Sequence, residues 1–154
     1  MAESGVYIEQ AAPLLISICV DKKEESDLQG RLYHYYSAGE HFGNFVQLLE
    51  KIEEAMDLLN YPQASVEIRS FIPKIEQQKQ EVARVMEQEM LMEKSGAKGT
   101  FVVKVQCRQH ATWQGYVLWV EKNERQYFRS ALELVKLIDG ALDDAEAALE
   151  EADE

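Results

Sequence analysis

The sequence predicts an α+β fold built from a tandem ββα duplication. Three observations predict it. Residues 14–59 and 101–142 repeat one order of patterns: an alternating apolar run, a second run with an early glycine, and an amphipathic stretch. Both first runs alternate with period two. Leu14, Ile16, Ile18 and Val20 share one side, as do Phe101, Val103, Val105 and Cys107, which marks half-buried antiparallel strands. Both amphipathic stretches open on a helix-capping pattern, Asn44-Phe45-Val46-Gln47 and Ser130-Ala131-Leu132-Glu133, in which the cap side chain and the residue three further on satisfy each other's end of the chain. The expected architecture is a four-stranded antiparallel sheet with helices on one face and a central connecting helix. It forms one pseudo-symmetric domain over residues 1–154. Within it lie a first unit (14–59), a connecting helical segment (60–100), a second unit (101–142) and an acidic tail (143–154).

Each element follows in order. Residues 1–13 hold a short apolar stretch, Val6-Tyr7-Ile8, and stop at Pro13, as an arm or an edge strand would. The polar segments 21–27 and 108–112 join each first strand to the next as a hairpin. Gly30 and Gly115 stand at equivalent places in the second strands, where a glycine signals a bulge or a close backbone approach. The repeat aligns Val20 with Cys107. Phe45, Leu48, Leu49, Ile52, Met56 and Leu59 form the first helix stripe; Ala131, Leu134, Val135, Ile138 and Leu142 form the second. Phe42 and Phe128 stand two residues before the caps. The central helix is expected from Pro73, since proline suits a first helical position, to about Lys94. Its stripe is Ile75, Val82, Val85, Met86, Met90 and Met92, methionine-rich and suited to a partner. The last residues favour helix by composition, but acids at a helix C-terminus oppose its dipole and predict fraying.

Charge is uneven. The net charge is −12, and residues 139–154 hold eight acids and no Lys or Arg. The first unit carries −5, whereas residues 101–136 carry +3. An acidic chain is repelled by nucleic acid at long range, although a local basic face can still hold phosphate. No apolar run approaches the roughly 20 residues of a membrane helix, and the start lacks a signal-peptide pattern. No membrane association is expected. Cys19 and Cys107 read as reduced, structural thiols of a cytoplasmic protein.

No catalytic constellation stands out. His34, His41 and His110 lack metal-ligand spacing, and no CxxC or GxSxG is present. Gly96-Ala97-Lys98-Gly99-Thr100 lacks the spacing of a phosphate loop and reads as a linker. Neither an enzyme, a cofactor nor a metal is expected. The rings are more informative. Tyr33, Tyr35, Trp113, Tyr116 and Trp119 fall on the second strands, with Arg108 and Arg129 in the basic unit. Exposed on a sheet, such residues suit a protein interface, where Tyr, Trp, Met and Arg are enriched. They also suit stacking against single-stranded nucleic acid.

The segment Ala111-Thr112-Trp113-Gln114-Gly115, then Trp119-Val120-Glu121 and Phe128 to Leu134, resembles a recurring pattern of small bacterial proteins of unassigned role. The stretch from Phe45 to Phe71 is similar to a second pattern in them. The resemblance implies a small intracellular bacterial domain and marks Trp113, Gly115, Arg129 and Ser130. The expectation is a non-enzymatic protein–protein interaction module, binding a protein partner or a second copy through its aromatic sheet face. The alternatives are single-stranded nucleic-acid binding by the basic second unit, or inhibition of a nucleic-acid enzyme by acidic mimicry.

Overall fold

The computed structural model describes residues 14–25, 27–59, 71, 85–109 and 112–152. Along the chain run β1 (Ile16–Glu24), β2 (Asp27–His34), β3 (Ser37–Phe42), α1 (Phe45–Leu59), α2 (Gln88–Glu93), β4 (Gly99–Gln109), β5 (Thr112–Trp119), β6 (Glu124–Phe128) and α3 (Ala131–Ala152). The strands form one antiparallel sheet in the order β3-β2-β1-β4-β5-β6. The expected four-stranded sheet is therefore corrected to six strands, and each ββα unit to βββα. The strands that sequence reading overlooked, β3 and β6, are the outer ones. Both sides of these strands carry polar residues, Glu40, Glu124 and Gln126 on the helix side and His41 and Arg125 on the other, so no apolar alternation announces them.

The two units meet at β1 and β4, where Ile16–Val20 pairs with Gly99–Val103. Ser17 sits opposite Val102 in that pair. The same two residues hold equivalent places in their units, opposite Tyr33 and Leu118 respectively. A pseudo-twofold axis must pass between them. The equivalence runs throughout: Val20 faces Gly30 as Val105 faces Gly115, and Gly30 faces Phe42 as Gly115 faces Phe128. Val20 is thus the counterpart of Val105, not of Cys107. A bulge at the same place in each unit, between Val20 and Lys22 and between Val105 and Cys107, interrupts the alternation there, so Cys107 matches Lys22 and lies outside the core in which alternation had placed it. The extra residue puts Cys107 opposite Gln114, where its thiol donates to Gln114 Oε1 at 3.5 Å.

One sheet face is covered by α1 and α3. Leu48, Ile52, Ala55 and Met56 of α1, and Leu134, Ile138 and Leu142 of α3, pack on Ile16, Ile18, Val20, Phe101, Val103 and Val105. Each such aliphatic side chain taken out of water contributes about 1.5–3 kcal/mol. Phe42 and Phe128, ending the outer strands, are sealed in the same core. Both caps form. The Gln47 amide donates to Asn44 Oδ1 at 2.8 Å and the Glu133 amide to Ser130 Oγ at 3.0 Å. The return bonds come from the residue before each cap: Gly43 N to Gln47 Oε1 at 2.6 Å, and Arg129 N to Glu133 Oε1 at 3.2 Å. The acidic stretch continues α3 to Ala152.

Two buried cations tie the units together across the axis. Lys23 Nζ meets Asp139 at 2.9 Å and Asp143 at 3.5 Å on the helix of the other unit. Arg108, its counterpart, meets Asp57 of α1 at 2.7 Å. Burial pushes the Lys23 ammonium towards neutrality, but the hydrogen bond and charges of Asp139 and Asp143 outweigh it and hold its pKa above the ordinary value.

Of the expected central helix, 88–93 is helical, while 72–84 lie outside the described residues. The segment 85–98 lies on the sheet face opposite α1 and α3. Met86 and Leu91 are buried there against Leu15, Cys19, Tyr33, Tyr35, Val102 and Leu118. Val85 and Met90, from the expected methionine stripe, are exposed.

Candidate interaction surface

The sheet has two faces, and the rings divide between them. Trp113 lies in the core beneath the helices, 7 % exposed. Trp119 is on the same face, half-buried, its ring stacked on Phe101 with centroids 6.2 Å apart. Tyr33, Tyr35 and Tyr116 are buried on the opposite face. Strand alternation enforces this division, because residues of odd spacing point to opposite faces. The expected site residues therefore do not form one surface. Arg108 is buried in its pair with Asp57, whereas Arg129 is exposed beside Glu133 at 3.7 Å.

Over the first unit, the face opposite the helices is closed by the segment 85–98. Arg31 holds it. Its guanidinium grips Asp21 through Nε at 2.9 Å and Nη2 at 3.0 Å, donates to the Ser95 carbonyl at 2.8 Å, and donates to the Tyr33 hydroxyl at 2.7 Å. The hydrogen bonds from Arg31 hold the Asp21 carboxyl below its usual range, and Asp21 accepts from the Ala97 amide as well. Lys98 N donates to the Val20 carbonyl at 2.8 Å, and the amides of Val85 and Met86 share the Tyr35 carbonyl. Lys94 Nζ stands 5.2 Å from the Tyr33 ring centre. Burial raises the Cys19 thiol beneath this strap and lowers the Lys104 ammonium at the equivalent place in β4.

Over the second unit the same face carries a different set. Tyr116 takes the place of Arg31, and Tyr127 of β6 lies opposite it where β3 has His41. The two rings meet edge to face at 6.2 Å. The Arg125 guanidinium sits over both, 5.1 Å from Tyr116 and 5.5 Å from Tyr127, within reach of cation–π attraction. Tyr127 remains 59 % exposed. Sequence reasoning missed it because Arg125-Gln126-Tyr127-Phe128 was not recognised as a strand. Once it is one, alternation places Arg125 and Tyr127 together.

A cleft of about 50 Å³ lies on the other side of β6, between that strand and α3. Phe101, Val117, Trp119, Leu137 and Ala141 line it, and Glu124 and Gln126 form its rim. It is far below the roughly 300 Å³ at which small-molecule sites begin. In the first unit the positions of Gln126 and Leu137 hold Glu40 and Lys51, paired at 3.9 Å. The copies have diverged here from a charged pair to an apolar cleft.

Among the described residues no group of three or more His, Cys, Asp or Glu is placed to hold a metal ion. No helix among them is long and apolar enough to cross a membrane. No family model matches the chain, and neither a curated protein nor a solved structure matches it.

Proposed function

We propose that the chain is a non-enzymatic protein-binding module that takes its partner on the outer half of the second unit, around β6. The observation that carries this reading is Tyr127: a large ring, 59 % exposed, held in place by Arg125 and Tyr116 on an outer strand. Tyrosine and arginine are the residues that dominate interface energetics, because they bring large contact area with little loss of conformational freedom. The close titratable groups of the described residues support the same reading, since they serve as clips and caps: Arg31 with Asp21, Lys23 with Asp139, Arg108 with Asp57, and Glu133 at a helix start.

The test is affinity capture from the source cells with tagged protein, in nuclease-treated and untreated halves, beside a Tyr127→Ala variant. Tyr127 is exposed, so the variant keeps its fold. The expected result is a protein that survives nuclease and is lost with the variant. Recovery of nucleic acid alone, removed by nuclease, replaces this reading with nucleic-acid binding by the same ring and arginines.

A further inference from the structure

We infer that the segment 85–98 is a strap that opens as one piece from the sheet of the first unit, with Arg31 as its latch, while the rest of the fold stays closed. The inference concerns the first unit and stands apart from the partner surface around β6. Burial anchors the strap lightly. Met86 and Leu91 are buried on the sheet and Met92 is half-buried beside them, whereas Val85, Met90, Ser95, Ala97 and Lys98 are exposed. Ordering the backbone of a segment this long costs more than two buried side chains return. The helix within it, Gln88–Glu93, is shorter than one that holds by itself. The polar fastenings therefore decide whether the strap stays closed.

Those fastenings converge on one ion pair. Asp21 is the extra residue of the β1 bulge, since Val20 faces Gly30 and Lys22 faces Gln29. Set outside the ladder, its carboxylate accepts from Arg31 and from the Ala97 amide. Arg31 donates in turn to the Ser95 carbonyl and to the Tyr33 hydroxyl, and Lys94 of the strap stands over the Tyr33 ring. One guanidinium thus joins β1, β2 and the strap. The side chains of the pair are 31 % and 35 % exposed, so water can replace their bond. The second unit shows that the pair serves the strap and not the sheet. It keeps the same bulge, with Gln106 at the place of Asp21 and Tyr116 at that of Arg31. A bulge in this fold therefore forms without the ion pair. Cys19, wholly buried in one cluster with Met86 and Leu91, is a built-in reporter of opening.

The experiment follows amide hydrogen exchange of the full chain, residue by residue, in rising but sub-denaturing urea. The amides of Val85, Met86 and Lys98, which bond to the Tyr35 and Val20 carbonyls, should share one opening equilibrium. It should be at least tenfold more favourable than that of the β1–β4 ladder, with a shallower urea dependence, because less surface is exposed. Arg31→Met should speed all three amides by one common factor of at least tenfold. Val85 and Met86 lie at the end away from Ser95 and Ala97, so their response shows that the strap moves as a unit. Asp21→Asn cuts the same latch if Arg31→Met fails to fold. In a Cys107→Ser background, labelling of Cys19 by an aromatic disulfide should follow the same urea dependence and the same acceleration. Strap amides that exchange with the rate and urea slope of the ladder overturn the inference, as does an acceleration confined to 95–98. Labelling of Cys19 only as the whole chain unfolds overturns it too.

Discussion

A methyl group at Gly30 would run into the carbonyl oxygen of Cys19, and one at Gly115 into that of Lys104. Both are backbone atoms of the neighbouring strand and cannot step aside. Gly30→Ala and Gly115→Ala should each cost about 2–3 kcal/mol in urea unfolding, and a change below about 0.5 kcal/mol at either would show that the strands are not so close. His34 gives a pH test. Burial lowers its pKa from 6.5 to about 4, and its Nδ1 accepts from the Tyr36 amide at 3.1 Å. The folded protein therefore resists a proton that the unfolded chain takes up readily. The contribution of neutral His34 is whole above pH 6.5, declines as pH falls, and is lost by about pH 4, a span of roughly 3 kcal/mol. Asp21, whose carboxyl is held low by Arg31, loses its contribution only at more acid pH. His34→Phe should flatten stability between pH 6.5 and 4; an unchanged slope there would assign the decline to another group. Trp113, 7 % exposed beneath the helices, should cost about 3–5 kcal/mol as Trp113→Ala, in keeping with large-to-small core changes.

At the scale of elements, the sequence was legible wherever a signal was local. Both caps, most of both helix stripes, and the core face of β1 and of β4 as far as Val105 follow from spacing alone, since period and cap chemistry act within a few residues; Cys107, beyond the bulge, does not. The outer strands were not legible, because an edge strand needs only one covered side and Phe42 and Phe128 were sufficient to anchor them. The candidate surface was hidden for the same reason: Tyr127 and Arg125 read as a loop until β6 is paired. Burial of Arg108 was hidden for a different one, because Asp57 is fifty-one positions away and no local pattern connects them. That pair is testable as an element-to-element clip. Removing one partner of a buried pair leaves the other uncompensated, although Asp57 keeps solvent access. Arg108→Met should cost about 1–3 kcal/mol and Asp57→Asn less, with a double-mutant cycle showing coupling between them. The Lys23 clip belongs to the other hairpin and helix, so losses at Lys23 and Arg108 should add. Strong non-additivity would mean that the clips act as one unit.

At the scale of the molecule, the pseudo-twofold axis decides what each half can do. Among the described residues the units join within the sheet through β1 and β4 alone, and the axis passes between the equivalent residues Ser17 and Val102. Each half therefore presents at its inner edge a strand already shaped to pair with a copy of itself. A second unit alone, residues 99–152, would expose β4, whose core side carries Phe101, Val103 and Val105. An exposed apolar edge of that kind seeks another strand. The geometry supplies the register: Phe101 sits opposite Ile18, and Ile18 is the counterpart of Val103. Two copies of the fragment can then pair with Phe101 against Val103 and Val102 against itself, rebuilding a six-stranded sheet under two copies of α3. The cross-axis clips carry over in kind, since Arg108 in the fragment would meet Asp143 of the other copy, the counterpart of Asp57. That substitution conserves the charge pair and favours the dimer. Sedimentation of the fragment should give a dimer that Val102→Lys converts to monomer or unfolded chain, because two ammonium groups would then face each other at the axis. A fragment that stays monomeric and folded would show that β4 is satisfied without a partner strand, and that the axis is a relic of descent rather than a working symmetry.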